Sequence, residues 1–348
     1  MNIKSLLIGS AALATVSTGA QAADAIVMAE PEPMEYVRIC DVYGAGFFYI
    51  PGTETCLKIG GYMRYEIQYN TVAAAGLTKL ARFQANFDAR SDSEVGTIRG
   101  YAAVNFDWGF APLTGPAGAY GVTTAIDSAF IQVIRPNGGS WLFGREAAPY
   151  ARFQGFGFFT INGGYYGFRR TSEISYSYAG SNGFNFIAAL TTDGNVNLLP
   201  DAEIGIRFDR GWGSVGLMAG YDIDVGTFGA KAWTRVKFGN SGVSGALAVL
   251  YSSGPGAFAI AGPALIPAAG GPAVAAPAVS TFSVLAGLQA RFSPKVAANL
   301  HAQWFSAGGF DSALNLDFTV ARGMNVIPEV RFDTANGIGA VVRIQRSF

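Results

Sequence analysis

No run of about 18 consecutive apolar residues follows the first 22 positions, so the sequence holds no helix fit to span a bilayer. The nearest stretch, AGPALIPAAGGPAVAAPAV, is interrupted by Pro263, Pro267, Pro272 and Pro277. Each of these removes a backbone donor and breaks helical geometry. Charge is scarce: Asp, Glu, Lys and Arg make up 14% of the chain, against roughly 25% in soluble domains. It is also balanced, with 24 basic and 24 acidic residues and no long run of one sign. That balance argues against nucleic acid as a partner. There is one histidine, His301, and there are two cysteines. No H-E-x-x-H, G-x-x-x-x-G-K-[ST] or G-x-S-x-G pattern occurs, which argues against a metalloprotease site, a phosphate-binding loop and a hydrolase elbow. His301, in NLHAQWF, shares a polar face with Asn299 and Gln303 and reads as ordinary wall lining. The expectation is a protein that is not an enzyme, with no cofactor and no metal.

Half of the residues are apolar and 46 are glycine. A chain this apolar without a helical span has one other way to satisfy its backbone in lipid, a closed β-barrel. The N-terminus, MNIKSLLIGSAALATVSTGAQA, combines a cation at Lys4, an apolar core and Ala20-Gln21-Ala22, the pattern of an export signal. Cleavage after Ala22 is expected, leaving residues 23–348 as one barrel domain with 23 basic and 24 acidic residues.

A barrel requires segments of about ten residues that alternate apolar and polar, separated by turns. The sequence supplies them. EIGIRFD sets Ile204, Ile206 and Phe208 against Glu203, Gly205, Arg207 and Asp209. LARFQANFDAR sets Phe83, Ala85 and Phe87 against Arg82, Gln84, Asn86, Asp88 and Arg90. ALNLDFTVAR and KAWTRVKF repeat the pattern. Short turns are expected at SDSEVG, RPNGGS, YAGSNG, DRGWGS, GNSG, SPK and ARGMN. Longer connections are expected at GLTKL, FAPLTGPAGAYGVTT, 146–171, DGNVNLLP, 254–279, SAGGFDS and TANG. Short turns at one end and long loops at the other fit an outer-membrane barrel of about sixteen antiparallel strands, with both termini on the periplasmic side. The interior is expected to be water-filled. The Pro/Ala/Gly-rich stretch 254–279 reads as a flexible external loop or an insertion.

Cys40 and Cys56 lie near the mature N-terminus of an exported chain, where an oxidising compartment favours a disulfide; two buried free thiols are the alternative. At the other end, IGAVVRIQRSF runs as a strand to its last residue. Val342, Ile344 and Phe348 are expected to face lipid, with Arg343, Gln345 and Ser347 facing the lumen. Arg346 falls on the lipid side, where its charge departs from the pattern and is expected to reach the head groups.

The segment VRICDVYGAGFFYIPGTETCLKIGG and the terminal VRIQRSF resemble the alphaproteobacterial (rhizobial-type) general porins. The resemblance extends over the whole mature chain. It implies a transmembrane antiparallel β-barrel of 16 strands in the outer membrane of a Gram-negative cell. It also implies a homotrimer embedded in outer-membrane lipid, passive passage of small hydrophilic solutes and ions, and a third external loop folded inward. Phe348 is then the signal read by the barrel-assembly machinery. A substrate-specific channel, for sugars, is the alternative.

On this reading the third long loop is AAPYARFQGFGFFTINGGYYGFRR, whose aromatic residues are suited to seat it on the inner wall. The opposing wall carries Lys58, Arg64, Glu66, Arg82, Arg90 and Arg99, and the loop region supplies Glu146, Arg152, Arg169 and Arg170. Guanidinium groups across a narrow pore impose a transverse field. With few carboxylates on the loop, a weakly selective or mildly anion-preferring channel is expected.

Overall fold

A computed structural model describes residues 38–71, 76–110, 120–155, 157–192, 199–262, 279–335 and 337–348. The expected cleavage site at Ala22 lies outside them. Among the described residues, sixteen strands form an antiparallel sheet closed on itself. They are β1 (Cys56–Asn70), β2 (Leu77–Ser93), β3 (Gly96–Phe110), β4 (Tyr120–Ile134), β5 (Gly139–Ala147), β6 (Arg170–Ala179), β7 (Phe184–Thr192) and β8 (Asp201–Arg210). The ring continues through β9 (Gly213–Asp222), β10 (Thr227–Lys237), β11 (Val243–Ser252), β12 (Phe282–Ser293), β13 (Val296–Phe305), β14 (Phe310–Ala321), β15 (Met324–Asp333) and β16 (Gly337–Ser347). Each strand pairs with its neighbours in sequence, and β16 pairs with β1 from Gly339↔Asn70 to Ser347↔Tyr62. No helix among the described residues is long and apolar enough to cross a membrane.

Residues directly opposite one another on a ladder share a face, so the register assigns every side chain. Arg343 faces Glu66, Arg64 faces Arg82, Arg82 faces Asp107, and Glu203 faces Ala189. This set points inward. The alternate set, including Ile204, Leu217, Val249, Leu314 and Val342, is exposed and forms the outer apolar band that lipid requires. The alternation read from sequence therefore gives the correct face in the strands quoted above.

The seven expected short turns all lie at one end of the ring, together with the starts of β1 and the end of β16. The other end differs from expectation in two places. GLTKL is mostly strand, because β2 begins at Leu77, and YGVTT belongs to β4. A further tight connection at 223–226 joins β9 to β10; its Val225 N–H donates to Asp222 Oδ1 at 3.1 Å. The sequence DIDVG hides it, because Ile223 and Val225 continue the apolar pattern through the bend.

Closure at the seam explains the terminal phenylalanine. Phe348 N–H donates to the Gly61 carbonyl at 3.1 Å, and Gly61 N–H donates back at 3.2 Å. The Phe348 ring stacks on Phe83 at 6.3 Å between centroids, and Phe83 stacks on Phe106 at 5.8 Å. Gly61 sits at φ 153°, and a Cβ there would lie 2.0 Å from the Gln84 carbonyl oxygen. Arg346 turns to the adjacent β14–β15 turn, where its guanidinium donates to the Arg322 carbonyl. That bond accounts for a charge in the lipid-side register at the membrane edge.

Cys40 and Cys56 form a disulfide with a Cα–Cα distance of 6.0 Å. It ties a short segment, whose strand Phe48–Tyr49 pairs with the start of β1, to the short-turn end of the ring. Phe47 in this segment packs at the inward-facing Lys58 and Arg90, with the Arg90 guanidinium 5.0 Å from the ring centroid.

Phe348→Ala is expected to lower stability by about 1 kcal/mol from lost stacking alone, read as a shifted urea midpoint of the refolded protein. Gly61→Val is expected to prevent seam closure and leave the chain unfolded on an unheated gel. Removing the disulfide with Cys40→Ser and Cys56→Ser is expected to cost up to roughly 3 kcal/mol without changing the strand content seen by circular dichroism.

Candidate channel constriction

The connection between β5 and β6, residues 148–169, has one helical turn, Pro149–Arg152, and is otherwise irregular. An irregular chain away from bulk water must still pair its N–H and C=O groups. Here inward-facing wall side chains supply the partners. Tyr150 N–H donates to Glu203 Oε2 at 2.6 Å. Ile161 and Asn162 N–H donate to the two oxygens of Glu329 at 2.5 and 3.1 Å. Tyr165 N–H donates to Gln303 Oε1 at 2.6 Å. In the opposite sense, Arg207 donates to the Phe153 carbonyl at 2.7 Å. Arg235 donates to the carbonyls of Gln154, Gly155 and Gly157 at 3.2, 3.2 and 2.7 Å. Lys231 donates to the Tyr166 carbonyl at 3.0 Å. Bonds to charged groups contribute about 1.5–3 kcal/mol each, so this set is a substantial tether.

Apolar packing fills the space between these bonds. Tyr150, Phe153 and Phe158 from the loop are buried against Ile187, Met218, Trp233, Ala246, Ala248, Leu250, Leu285 and Phe305 from the wall. The inner face of β11 is thus largely apolar, and that part of the interior is packed protein rather than water. The strand β11 shows why: Leu247, Val249 and Tyr251 face outward while Ala246, Ala248 and Leu250 face inward, so both sides are apolar.

The segment after β11 also departs from expectation. Residues 253–262 are not a free external loop: Phe258 and Ile260 join the same buried cluster, and Ile260–Ala261 pairs with Val279–Ser280. Low polarity, read as looseness, here reflects burial. Residues 263–278 lie outside the described set.

The expected site residues divide into two ion-paired networks and a third group at the mouth. On β16 and β1–β3, Arg343 pairs with Glu66 at 2.6 Å and Arg64 lies 3.8 Å from the same carboxylate. Arg82 grips Asp107 with two bonds of 2.7 Å. Arg90 and Arg99 share Asp88, at 2.8 and 3.0 Å. The second network runs over the neighbouring arc, β4–β8. Arg170 bonds Glu146 at 2.6 Å and also Asp127. Arg152 bonds Glu173 at 2.7 Å, and Arg169 bonds Glu203 at 2.6 Å and Asp201 at 3.2 Å. Glu146 and Glu173 are therefore held by these arginines rather than set alone against a distant cation cluster. Lys58 and Arg90 serve the mouth: Lys58 Nζ donates to the Ala45 carbonyl at 3.2 Å, and Arg90 lies beside Phe47 and Tyr43. Burial, with a hydrogen bond to Asp92, pushes the Tyr43 phenol up to about 12, so it remains neutral.

His301 is fully buried. Its Nδ1 is 2.5 Å from Thr160 Oγ1 and its Nε2 is 3.2 Å from Asp311 Oδ2. Asp311 also accepts from the Asn162 amide at 3.1 Å. The histidine thus ties the loop tip to the wall.

Sequence reasoning passed over the strongest anchors, Glu203, Lys231, Arg235, Gln303 and Glu329. Their only signal is an inward register shared with many other polar residues. Nothing local distinguishes a wall residue that meets water from one that meets the loop.

The model of the porin subfamily matches residues 24–343. Porin Omp2b of Brucella suis biovar 1 is 33% identical over 389 residues, covering all of both chains. Porin Omp2b of Brucella melitensis biotype 1 is likewise 33% identical over the full length of both. Among solved structures, the outer membrane channel DcaP of Acinetobacter baumannii has a TM-score of 0.63 at 13% identity, over 86% of this chain and 99% of that one. A mutant of the Rh. blastica porin has a TM-score of 0.57 at 17% identity, over 84% and 100%. The closed sixteen-strand ring, its apolar outer band and the full-length match to these porins agree: the chain belongs to the porin subfamily and is an outer-membrane porin.

Proposed function

We propose that small hydrophilic solutes and ions diffuse past the arginine-lined arc of β16 and β1–β3, with loop 148–169 as the constriction opposite. The carrying observation is residual exposure. The side chains of Arg64, Arg82, Arg90, Arg99 and Arg343 keep 17 to 25% of their surface open, whereas those of Glu173, Glu203 and His301 keep none. Arg152, Arg169 and Arg170 keep a similar 17 to 21%, so water reaches the arginines of both networks and is excluded from the carboxylates and the histidine behind the loop.

The charge balance of the two networks supports weak selectivity. In the first, five arginines share three carboxylates, an excess of two positive charges. In the second, three arginines share five carboxylates, an excess of two negative. The excesses cancel in sum and remain separated in space. A permeating dipole feels a transverse field, while the net bias between anions and cations is small. The loop rings Tyr150, Phe153 and Phe158 are buried, which leaves Phe168 as the one loop ring that is exposed among the described residues, a small surface for a sliding sugar. His301, enclosed by its partners, offers no observation in favour of catalysis.

Residues 1–22 are read as a cleaved signal, and the working unit as a homotrimer delivered by the barrel-assembly machinery through Phe348. These readings rest on the N-terminal sequence and on family resemblance.

Arg64→Ala combined with Arg82→Ala removes two positive charges and leaves Asp107 unpaired. The reversal potential in a potassium chloride gradient is expected to shift toward cation preference; an unchanged value would place both groups off the path. Glu329→Gln weakens the hold on Ile161 and Asn162 and is expected to increase open-channel noise in planar bilayers.

A further inference from the structure

We propose that residues 253–260 form a second constriction element, a clamp that fixes loop 148–169 against the wall, with Phe258 as its positioning residue. This deepens the reading above and rests on loop 148–169 being the constriction.

The clamp is built, not merely adjacent. Phe258 is 4% exposed. Its ring lies 5.1 Å from that of Tyr150, at the entry to the loop. The Arg169 guanidinium, at the loop exit, lies 4.6 Å from the Phe258 ring centroid. Just before the exit, the Tyr165 hydroxyl donates to the Ala259 carbonyl. One short segment therefore touches the loop at its start and along its final residues.

The wall is cut to receive it. A Cβ on Gly220 would lie 2.2 Å from the Phe258 ring, and one on Gly229 would lie 2.5 Å from the Phe258 Cβ. The two glycines face each other across the β9–β10 ladder and form a slot that a larger residue would close. The backbone of the clamp is held as firmly. Ala257 N–H donates to Asp222 Oδ2 at 2.7 Å, and Thr227 Oγ1 donates to the Pro255 carbonyl at 2.7 Å. Ser253 N–H donates to the Phe228 carbonyl at 2.9 Å. These bonds gain nothing for the ring itself, whose strands are already paired; they fix the segment inside it. With the clamp seated, the loop stays on the β8–β13 side and the open section stays beside the arginines.

The test uses the full-length refolded protein in planar bilayers. Phe258→Ala is expected to raise single-channel conductance and open-channel noise and to enlarge the polymer size excluded from the pore, with strand content unchanged. Phe258→Leu is expected to restore most of the wild-type values. Tyr165→Phe, which removes the hydroxyl and with it the bond to Ala259, is expected to raise noise without loss of assembly and serves if Phe258→Ala fails to fold. A loop variant lacking residues 157–163 is measured alongside. If that deletion enlarges the pore while the Phe258 and Tyr165 variants conduct as wild type, the clamp is overturned and the constriction stands. If the deletion leaves conductance unchanged, the constriction reading falls and the clamp with it.

Discussion

Lipid offers a peptide group no hydrogen-bonding partner, so every N–H and C=O at membrane depth must be satisfied by protein or by enclosed water. The chain meets this constraint twice. Its strands meet it by closing on themselves, with the last residue, Phe348, exchanging two bonds with Gly61 so that no edge remains open. The connection 148–169 has no ladder of its own, and Glu203, Glu329, Gln303, Arg207, Arg235 and Lys231 bond its backbone in place of one.

That second solution reassigns the charges of the interior. A carboxylate or guanidinium committed to a loop backbone keeps its full charge, so the loop changes where the charges lie and not their sum. Burying it is sustainable because its partners are close and numerous; an unpaired buried charge would cost several kcal/mol. On the proposed reading, transport uses the arginine-lined arc, where arginines and carboxylates are paired unequally, and the separation of the two networks rather than their sum gives the passage its polarity.

Sheet architecture was legible because lipid and interior impose a period of two on each strand, and Gly, Asn, Asp and Pro mark most short turns. The turn at 223–226 escaped because its apolar residues imitate a strand. Within the candidate site, the inward face of Arg64 and Arg82 on the adjacent strands β1 and β2 was legible from the alternation. Their partners were not, because Glu66, Asp88 and Asp107 meet those arginines through the strand register, which no local pattern specifies. The 253–262 segment misled for a physical reason: a stretch poor in polar side chains suits both a loose excursion and a buried plug, and only its contacts with Tyr150 and Gly229 decide.

The cystine has a consequence for redox access. Both sulfur-bearing residues are almost wholly enclosed, Cys40 at 1% and Cys56 at 2% exposed, and Cys56 is the first residue of the strand that completes the seam. An oxidant has little access to the finished molecule. The bond, once formed, is equally sheltered from reductants in the folded molecule.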